Sequence, residues 1–148
     1  FIKLKMNSLS DPKMIDKLYD ASRAGVKIQL LVRGICSLVP GVKGMSENIE
    51  AISIVDNFLE HSRVYIFCND MNQEVYISSA EFMTRNLDMR VEVSCPIYDQ
   101  QVKEELIASF DVGWKGNVKA RLHAENLDNK YRPRGTNPMF RAQFETYK

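Results

Sequence analysis

The residues best suited to chemistry lie between positions 61 and 86. His61 and Arg63 stand two positions apart at the start of a β-rich run, and the hydroxyl pair Ser78 and Ser79 follows a second run of the same kind. Because side chains at i and i+2 of a strand share a face, a strand that begins by His61 would project its imidazole and the Arg63 guanidinium the same way. An antiparallel return of the second run would bring the hydroxyls beside them. An imidazole, a fixed cation and hydroxyl donors together suit a phosphoryl group.

A histidine such as His61 can act on phosphorus as a nucleophile or as a general acid/base, because it exchanges its proton near neutral pH. The common alternative is a surface or half-buried histidine that is satisfied by a neighbour. Arg33 supports the site, since it follows the predicted strand 26–32, which ends in an apolar run, and ligands collect at the carboxyl ends of strands in open α/β sheets. There its guanidinium can form a bidentate fork on phosphate oxygens, although a surface ion pair is also common for arginine.

Further candidates lie downstream. The run 90–94 alternates polar and apolar residues, which predicts a strand with Arg90 on its polar face. Ser78 and Ser79 are consecutive, so one of them faces the site in either register. His123 lies in a polar, basic region and is interpreted as a solvated surface histidine outside the site.

The elements that must position these residues alternate between strand and helix patterns. A helix is predicted to begin at Ser10-Asp11-Pro12 and to stop at Gly25, between strands 1–6 and 26–32. Strand, helix and strand with short connections predict a parallel pair. Residues 36–49 are predicted to form a loop able to lie over a site. The other predicted strands are 52–55, 64–68, 75–78, 90–94 and 118–122, and the other predicted helices are 80–87 and 99–110.

Length, charge and cysteine content narrow the class of protein. The chain has 148 residues, 45% of them hydrophobic, which suits one soluble globular domain. The formal net charge is +1, from 20 Lys+Arg and 19 Asp+Glu, so general nucleic-acid binding is disfavoured and an anion site must be a local cluster. Three separated cysteines indicate a reducing compartment. No apolar run approaches the roughly 20 residues of a membrane span, and the chain starts at Phe1, so we expect a fragment of a longer chain.

Several collinear blocks resemble the carboxy-terminal catalytic domain of the bacterial polyphosphate kinases, the long-chain family with a phospholipase-D-like fold. The blocks are SLSDPKMIDKLYDAS, GVKIQLLVRGICSLVPG, ENIEAISIVDNFLEHSRVYIF, VYISSAEFMTRNLDMRVEV and YRPRG. The resemblance covers nearly the whole chain. It implies a single α/β domain over 1–148, with a phospholipase-D-like mixed sheet flanked by helices. The family usually has Asp after Ser-Ser-Ala, and Glu81 keeps that charge.

The resemblance implies an enzyme that reversibly transfers the terminal phosphate of ATP to polyphosphate through a phosphohistidine on a sister domain absent here. The isolated chain is therefore expected to be inactive. Arg33 matches the family's phosphate-binding arginine, and His61 matches its second active-site histidine, expected to act as acid/base. The residues in matching blocks that are further phosphate-binding candidates are Arg63, Ser78, Ser79, Asn86 and Arg90.

The resemblance also implies partners and a cofactor. ATP, ADP and polyphosphate are the expected ligands, and Mg²⁺ is expected to be held mainly by the ATP phosphates and the missing domain, with no metal-ligating residues assigned in this chain. Sister domains and a homo-oligomer are the expected protein partners, and nucleic acid is not. The expected location is the cytoplasm, including its membrane periphery.

Two other functions stay open. A phospholipase-D-type phosphodiesterase or nuclease would use His61 as the nucleophile in a homodimer. That superfamily has the motifs His-x-Lys and Gly-Ser. This chain has Arg63 in place of the lysine and Ser78-Ser79 in place of Gly-Ser. A non-catalytic anion-binding domain would need only the cations. The resemblance favours the phosphotransferase, and the residues agree with it because phosphoryl transfer depends mostly on positioning and on cationic stabilisation of negative charge.

Overall fold

Strands of one mixed sheet carry the candidate residues. The structure is a computed structural model that describes residues 1–126 and 128–147. The strands are β1 Ile2–Met6, β2 Ile28–Val32, β3 Ile49–Ile54, β4 Val64–Phe67, β5 Glu74–Ser78, β6 Ser94–Pro96 and β7 Ala120–Leu122. The helices are α1 Pro12–Arg23, α2 Thr84–Asp88, α3 Gln100–Lys115 and α4 Ala142–Glu145. The strand order across the sheet is β6-β5-β4-β1-β2-β3-β7. None of the described helices combines the length and the apolarity that crossing a membrane requires.

The first strand, helix and strand form the predicted parallel unit. β1 pairs with β2 in parallel, and β2 pairs with β3 in the same sense. The Asp11 carboxylate caps α1 by accepting a hydrogen bond from the backbone N–H of Met14 at 3.0 Å, and Pro12 occupies the first turn, where its missing N–H costs nothing. The hairpin of β4 and β5 is antiparallel, as predicted, with Val64 opposite Ile77.

Alternating side chains of β2 divide the core into two layers. Leu30 and Val32 are buried in the layer that includes Leu18 of α1, whereas Leu31 packs in the layer that includes Phe110 of α3. The run 26–32 ends in the apolar residues 30–32, which predicts that this end of the strand is buried on both faces. The carboxyl end of β2 is therefore held from both sides, and the residue that follows it is Arg33.

Several predicted elements have other bounds. Residues 90–94 do not form a strand, because β6 begins only at Ser94. β3 starts at residue 49, earlier than the predicted 52, and β7 starts at residue 120, later than the predicted 118. The helix predicted over 80–87 is shorter and starts later, because α2 spans only Thr84–Asp88. The helix predicted to end at residue 110 continues to Lys115 through Gly113, where an added Cβ would lie 3.1 Å from the Leu31 side chain, so glycine allows α3 to lie close to the sheet.

Candidate active site

His61 and Arg63 meet in the segment that precedes β4. The predicted strand starting by His61 is wrong, because β4 begins at Val64, where the ladder with β1 ends. The two side chains are nevertheless in contact, with Arg63 Nη2 3.0 Å from His61 Nε2. A guanidinium can only donate hydrogen bonds, so Nε2 accepts and the neutral ring carries its proton on Nδ1. His61 is exposed, so its imidazole is oriented by Arg63 and open to a ligand.

Glu81 holds Arg63 in place. Its Oε1 accepts hydrogen bonds from Arg63 Nε at 2.7 Å and from Asn7 Nδ2 at 2.6 Å. Its Oε2 accepts from the backbone N–H groups of Asn7 and Ser8 at 2.8 and 2.9 Å. Burial acts to raise the pKa of this carboxyl, but the hydrogen bonds from Asn7, Ser8 and Arg63 outweigh it and hold the pKa below its ordinary value. Glu81 is therefore an ionised anchor, a role that the sequence does not reveal.

The backbone of Arg33 is fixed at the end of β2, where the sequence places it. Its N–H donates to the Met6 carbonyl at 3.2 Å, and the next residue, Gly34, donates to the Asn7 carbonyl at 2.8 Å. The Ser53 hydroxyl donates to the Arg33 carbonyl at 3.0 Å. A Cβ at Gly34 would lie 3.0 Å from the Asn7 carbonyl oxygen, so this close approach requires glycine. Through Asn7, the loop that carries Arg33 is joined to Glu81.

Arg33 borders the segment that carries His61. Arg33 lines a small cavity together with Glu60 and Ser62, the residues on either side of His61. Its guanidinium has no hydrogen-bond or ion-pair partner in residues 1–126 and 128–147. An arginine with a fixed backbone and an unpaired, half-buried side chain is suited to binding an anion.

Ser78, Ser79 and Asn86 gather around the segment before β6. The Ser78 hydroxyl lies 2.8 Å from that of Ser94, and the Ser79 hydroxyl donates to Glu92. Asn86 Nδ2 donates to Glu92 at 2.5 Å, while Asn86 Oδ1 is buried without a hydrogen-bond partner among the described residues. The hydrogen bonds from Ser79 and then Asn86 lower the pKa of Glu92. Both serines thus have partners within the chain, which a phosphate would have to replace.

Arg90 and His123 lie elsewhere than the sequence predicts. Arg90 is exposed in the connection between α2 and β6, because its segment is not a strand. The interpretation of His123 as a solvated surface residue is wrong. It is half-buried, with Nε2 3.0 Å from the Val32 carbonyl oxygen, so it lies beside the end of β2. The sequence gives no signal of this, because the contact joins His123 to Val32, 91 positions earlier in the chain.

A metal cage is absent from the part of the chain that the structure describes. No group of three or more His, Cys, Asp or Glu side chains there is arranged to hold a metal ion. Mg²⁺ needs several oxygen ligands, so these residues do not fit a protein-held Mg²⁺ site. The groups that this chain contributes to the site are the guanidinium groups of Arg33 and Arg63 and the imidazole of His61.

We expect Glu81→Gln to lower the free energy of unfolding of this chain by about 2–3 kcal/mol at pH 7, because Arg63 loses its buried carboxylate and the new amide opposes that of Asn7. The folded-state pKa of Glu81 is lowered, so its contribution is present above the unfolded pKa and is lost as pH falls through the folded one. The difference between variant and wild type should therefore shrink below about pH 4. Urea unfolding across pH measures it.

The exposed Glu47 provides the matched control. Glu47→Gln should leave the unfolding free energy within about 0.5 kcal/mol. Glu81→Asp, which keeps the charge, should lie between wild type and Glu81→Gln. Equal stability of the two Gln variants at pH 7 would show that Glu81 does not anchor the site.

Sequence comparisons identify relatives over nearly the whole chain. The family described as "Polyphosphate kinase C-terminal domain 2" matches residues 1–143. The chain is 49% identical over 146 residues to a polyphosphate kinase of Escherichia coli (strain K12), a match that covers 99% of this chain and 21% of that protein. A polyphosphate kinase of Vibrio cholerae matches with the same identity and coverage. The chain thus spans about a fifth of the length of the curated relatives it matches.

Solved structures agree with the predicted fold. The crystal structure of polyphosphate kinase from Porphyromonas gingivalis matches with a TM-score of 0.95 and 43% identity, over 99% of this chain and 22% of that one. A phospholipase D family member, Nuc from Salmonella typhimurium, matches with a TM-score of 0.62 over 84% of this chain and 82% of that one. At 16% identity the second match shows the fold alone, and it confirms the predicted phospholipase-D-like mixed sheet. By its sequence and its fold, the chain belongs to the polyphosphate kinase C-terminal domain 2 family.

Proposed function

We propose that this chain is part of a polyphosphate kinase that reversibly transfers the terminal phosphate of ATP to polyphosphate, and that it supplies one wall of the active site. The observation that supports this most is the placement of Arg33. Arg33, whose guanidinium is unpaired among the described residues, lines a small cavity together with the two neighbours of His61, whose ring is exposed and oriented by Arg63. Family membership supports the same assignment.

In this proposal Arg33 binds the phosphoryl group in the transition state of its transfer. Its fork can donate two hydrogen bonds to phosphate oxygens, whose negative charge is spread over three equatorial positions in the transition state. The guanidinium is already desolvated in part and held by its backbone, so little reorganisation is needed at the moment of transfer. The bond between the phosphorus and the bridging oxygen of ATP breaks, and the phosphoryl group moves to a histidine on a sister domain beyond this chain.

His61 acts as a general acid in the same step, and as a general base in the reverse step. In the resting neutral ring Nε2 accepts from Arg63 and Nδ1 carries the proton. As the acid, the ring takes up a second proton from solvent, and the resulting imidazolium gives one proton to the oxygen that leaves with ADP and returns to the neutral form. In the reverse reaction the neutral ring takes a proton from the attacking phosphate. Glu81 and Arg63 act through His61: the ion pair at 2.7 Å fixes the guanidinium that fixes the ring.

The remaining assignments extend this wall. We propose that Arg90, which is exposed, contacts a phosphate in the assembled enzyme. Ser79 and Asn86 contribute when Glu92 is displaced, and Ser78 contributes when its hydroxyl leaves that of Ser94. Mg²⁺ would be held by the nucleotide phosphates and by domains beyond this chain, and no step is assigned to it here. Sister domains, a homo-oligomer and a cytoplasmic or peripheral membrane location complete the proposal.

The test compares the full-length protein with the 148-residue chain. Both are supplied with ATP and Mg²⁺, and polyphosphate synthesis is followed, together with the reverse phosphorylation of ADP. The full-length protein should turn over in both directions, and the isolated chain should not, because the phosphate-accepting histidine is missing. Turnover by the isolated chain would contradict the division of the active site. Failure of the full-length protein to make polyphosphate would contradict the function.

A further inference from the structure

One face of β7 presents a row of basic side chains. Lys119, Arg121 and His123 occupy alternate positions, so in an extended chain they share a face. The intervening Ala120 and Leu122 pack into the core layer beneath α3. The alternation therefore separates an apolar face, turned to the core, from a basic face, turned to the opposite side of the sheet.

These side chains line a cleft that reaches Arg33. The cleft has a volume of about 440 Å³. Its lining residues are Arg33, Gly34, Ser53, Val55, Lys119, Arg121, His123, Asn129 and Tyr131. None of these described residues is acidic, in a chain whose formal net charge is only +1. The cleft is therefore a local concentration of positive charge.

The cations of the cleft are held by neutral groups. Arg121 Nη1 donates to the Asn129 carbonyl at 2.7 Å, and its guanidinium lies 3.9 Å from the centroid of the Tyr131 ring. Both contacts orient the guanidinium and neither cancels its charge. Asp56 lies within electrostatic range of Lys119, but its carboxylate is already bound by Arg141 at 2.6 and 2.8 Å. The charges of Lys119 and Arg121 thus remain available to a ligand.

The register of the sheet connects this cleft to the candidate active site. Arg121 pairs with Ser53 across β7 and β3, and the Ser53 hydroxyl donates to the Arg33 carbonyl at 3.0 Å. Arg33 lines both the basic cleft and the small cavity beside the neighbours of His61. A ligand with charge along its length can therefore contact Arg33 and the basic face of β7 at once.

We propose that this cleft, through Lys119 and Arg121, binds the part of a linear polyphosphate chain that lies beyond the reacting phosphate. The inference rests on the proposed function for the position of the reacting end, at Arg33 and His61. Every unit of polyphosphate carries negative charge. The phosphates that follow the reacting one lie over Arg121 and Lys119, whose positive charges stabilise them. ATP has only two further phosphates behind a terminal phosphate at Arg33, so it can make fewer of these contacts than long polyphosphate. The cleft therefore favours the long substrate.

The experiment uses the full-length protein with the single variant Lys119→Ala and the double variant Lys119→Ala/Arg121→Gln. Binding of long inorganic polyphosphate, tripolyphosphate and ATP is measured by calorimetry at several salt concentrations, and KM values are measured where turnover allows. Each lost cation should weaken the binding affinity for long polyphosphate by about three- to tenfold. The salt dependence of its binding should become shallower. Binding of ATP should stay within about twofold of wild type, since its contacts lie at Arg33.

Lys17→Ala and Lys13→Ala/Lys17→Ala are the controls, because they remove the same charge from the exposed face of α1. They should bind long polyphosphate as wild type does. Unchanged polyphosphate affinity in the cleft variants would overturn the inference, and so would an equal loss for ATP and polyphosphate. Because binding is measured directly, this result is separate from polyphosphate synthesis by the wild type, whose absence would contradict the proposed function.

Discussion

Arg33→Ala in the full-length protein is expected to lower kcat for polyphosphate synthesis by about a thousandfold, because a guanidinium that meets the transferred phosphoryl group stabilises the charge of the transition state. The side chain has no partner among the described residues, so its removal breaks no hydrogen bond or ion pair of the fold. Arg33→Lys keeps the charge and loses the planar fork, and it should recover only part of the rate. Initial rates of polyphosphate formation at saturating ATP measure both variants.

The control for Arg33 is Arg23→Ala, which removes an exposed arginine at the end of α1. It should leave kcat within about twofold of wild type, as surface substitutions usually have small effects. A rate for Arg33→Ala within about threefold of wild type would favour a non-catalytic anion-binding or assembly domain, since an arginine at the reacting phosphate has a far larger effect.

His61→Ala is expected to lower kcat by about a hundred- to a thousandfold, with a small change in the KM for ATP, because a general acid acts mainly in the transition state. The ring is exposed, so added imidazole can reach the space that it leaves and should restore part of the rate. Such rescue distinguishes proton transfer from a structural role. Synthesis rates with and without imidazole provide the measurement.

Leu59→Ala serves as the control for His61, since it changes an exposed side chain of the same segment. It should retain kcat and should not respond to imidazole. Full activity of His61→Ala would contradict the proposal that His61 acts as an acid or base. Hydrolysis of a bis-aryl phosphodiester by wild type that disappears in His61→Ala would support the phosphodiesterase alternative instead.

Local signals in the sequence were sufficient for much of the fold. The Asp11-Pro12 pair marks the start of α1. The Asp11 carboxylate accepts a hydrogen bond from a free N–H of the first turn, and Pro12 has no N–H that would need a partner, whatever the surrounding fold. The apolar end of the 26–32 run predicts a strand that is buried where it ends, and with it the position of Arg33. These features depend on neighbours in the chain, so composition and period are enough to predict them.

Other features depend on contacts that are distant in sequence. Residues 90–94 alternate like a strand, yet Val91 is fully exposed and Glu92 turns to Ser79 and Asn86, so alternation here does not reflect a buried face. Glu81 becomes the anchor of Arg63 only because Asn7 and Ser8 approach it from the end of β1. The sequence alone therefore does not predict that Glu81 binds Arg63.

The central claim is that Arg33 and His61 of this chain face the phosphate being transferred. Its most direct test is a crystal structure of the full-length protein with a non-hydrolysable ATP analogue. We expect terminal phosphate oxygens within hydrogen-bond distance, about 3 Å, of the Arg33 guanidinium and the His61 ring. An analogue whose phosphates lie far from both side chains, with Arg33 paired instead to a carboxylate of a sister domain, would contradict the claim.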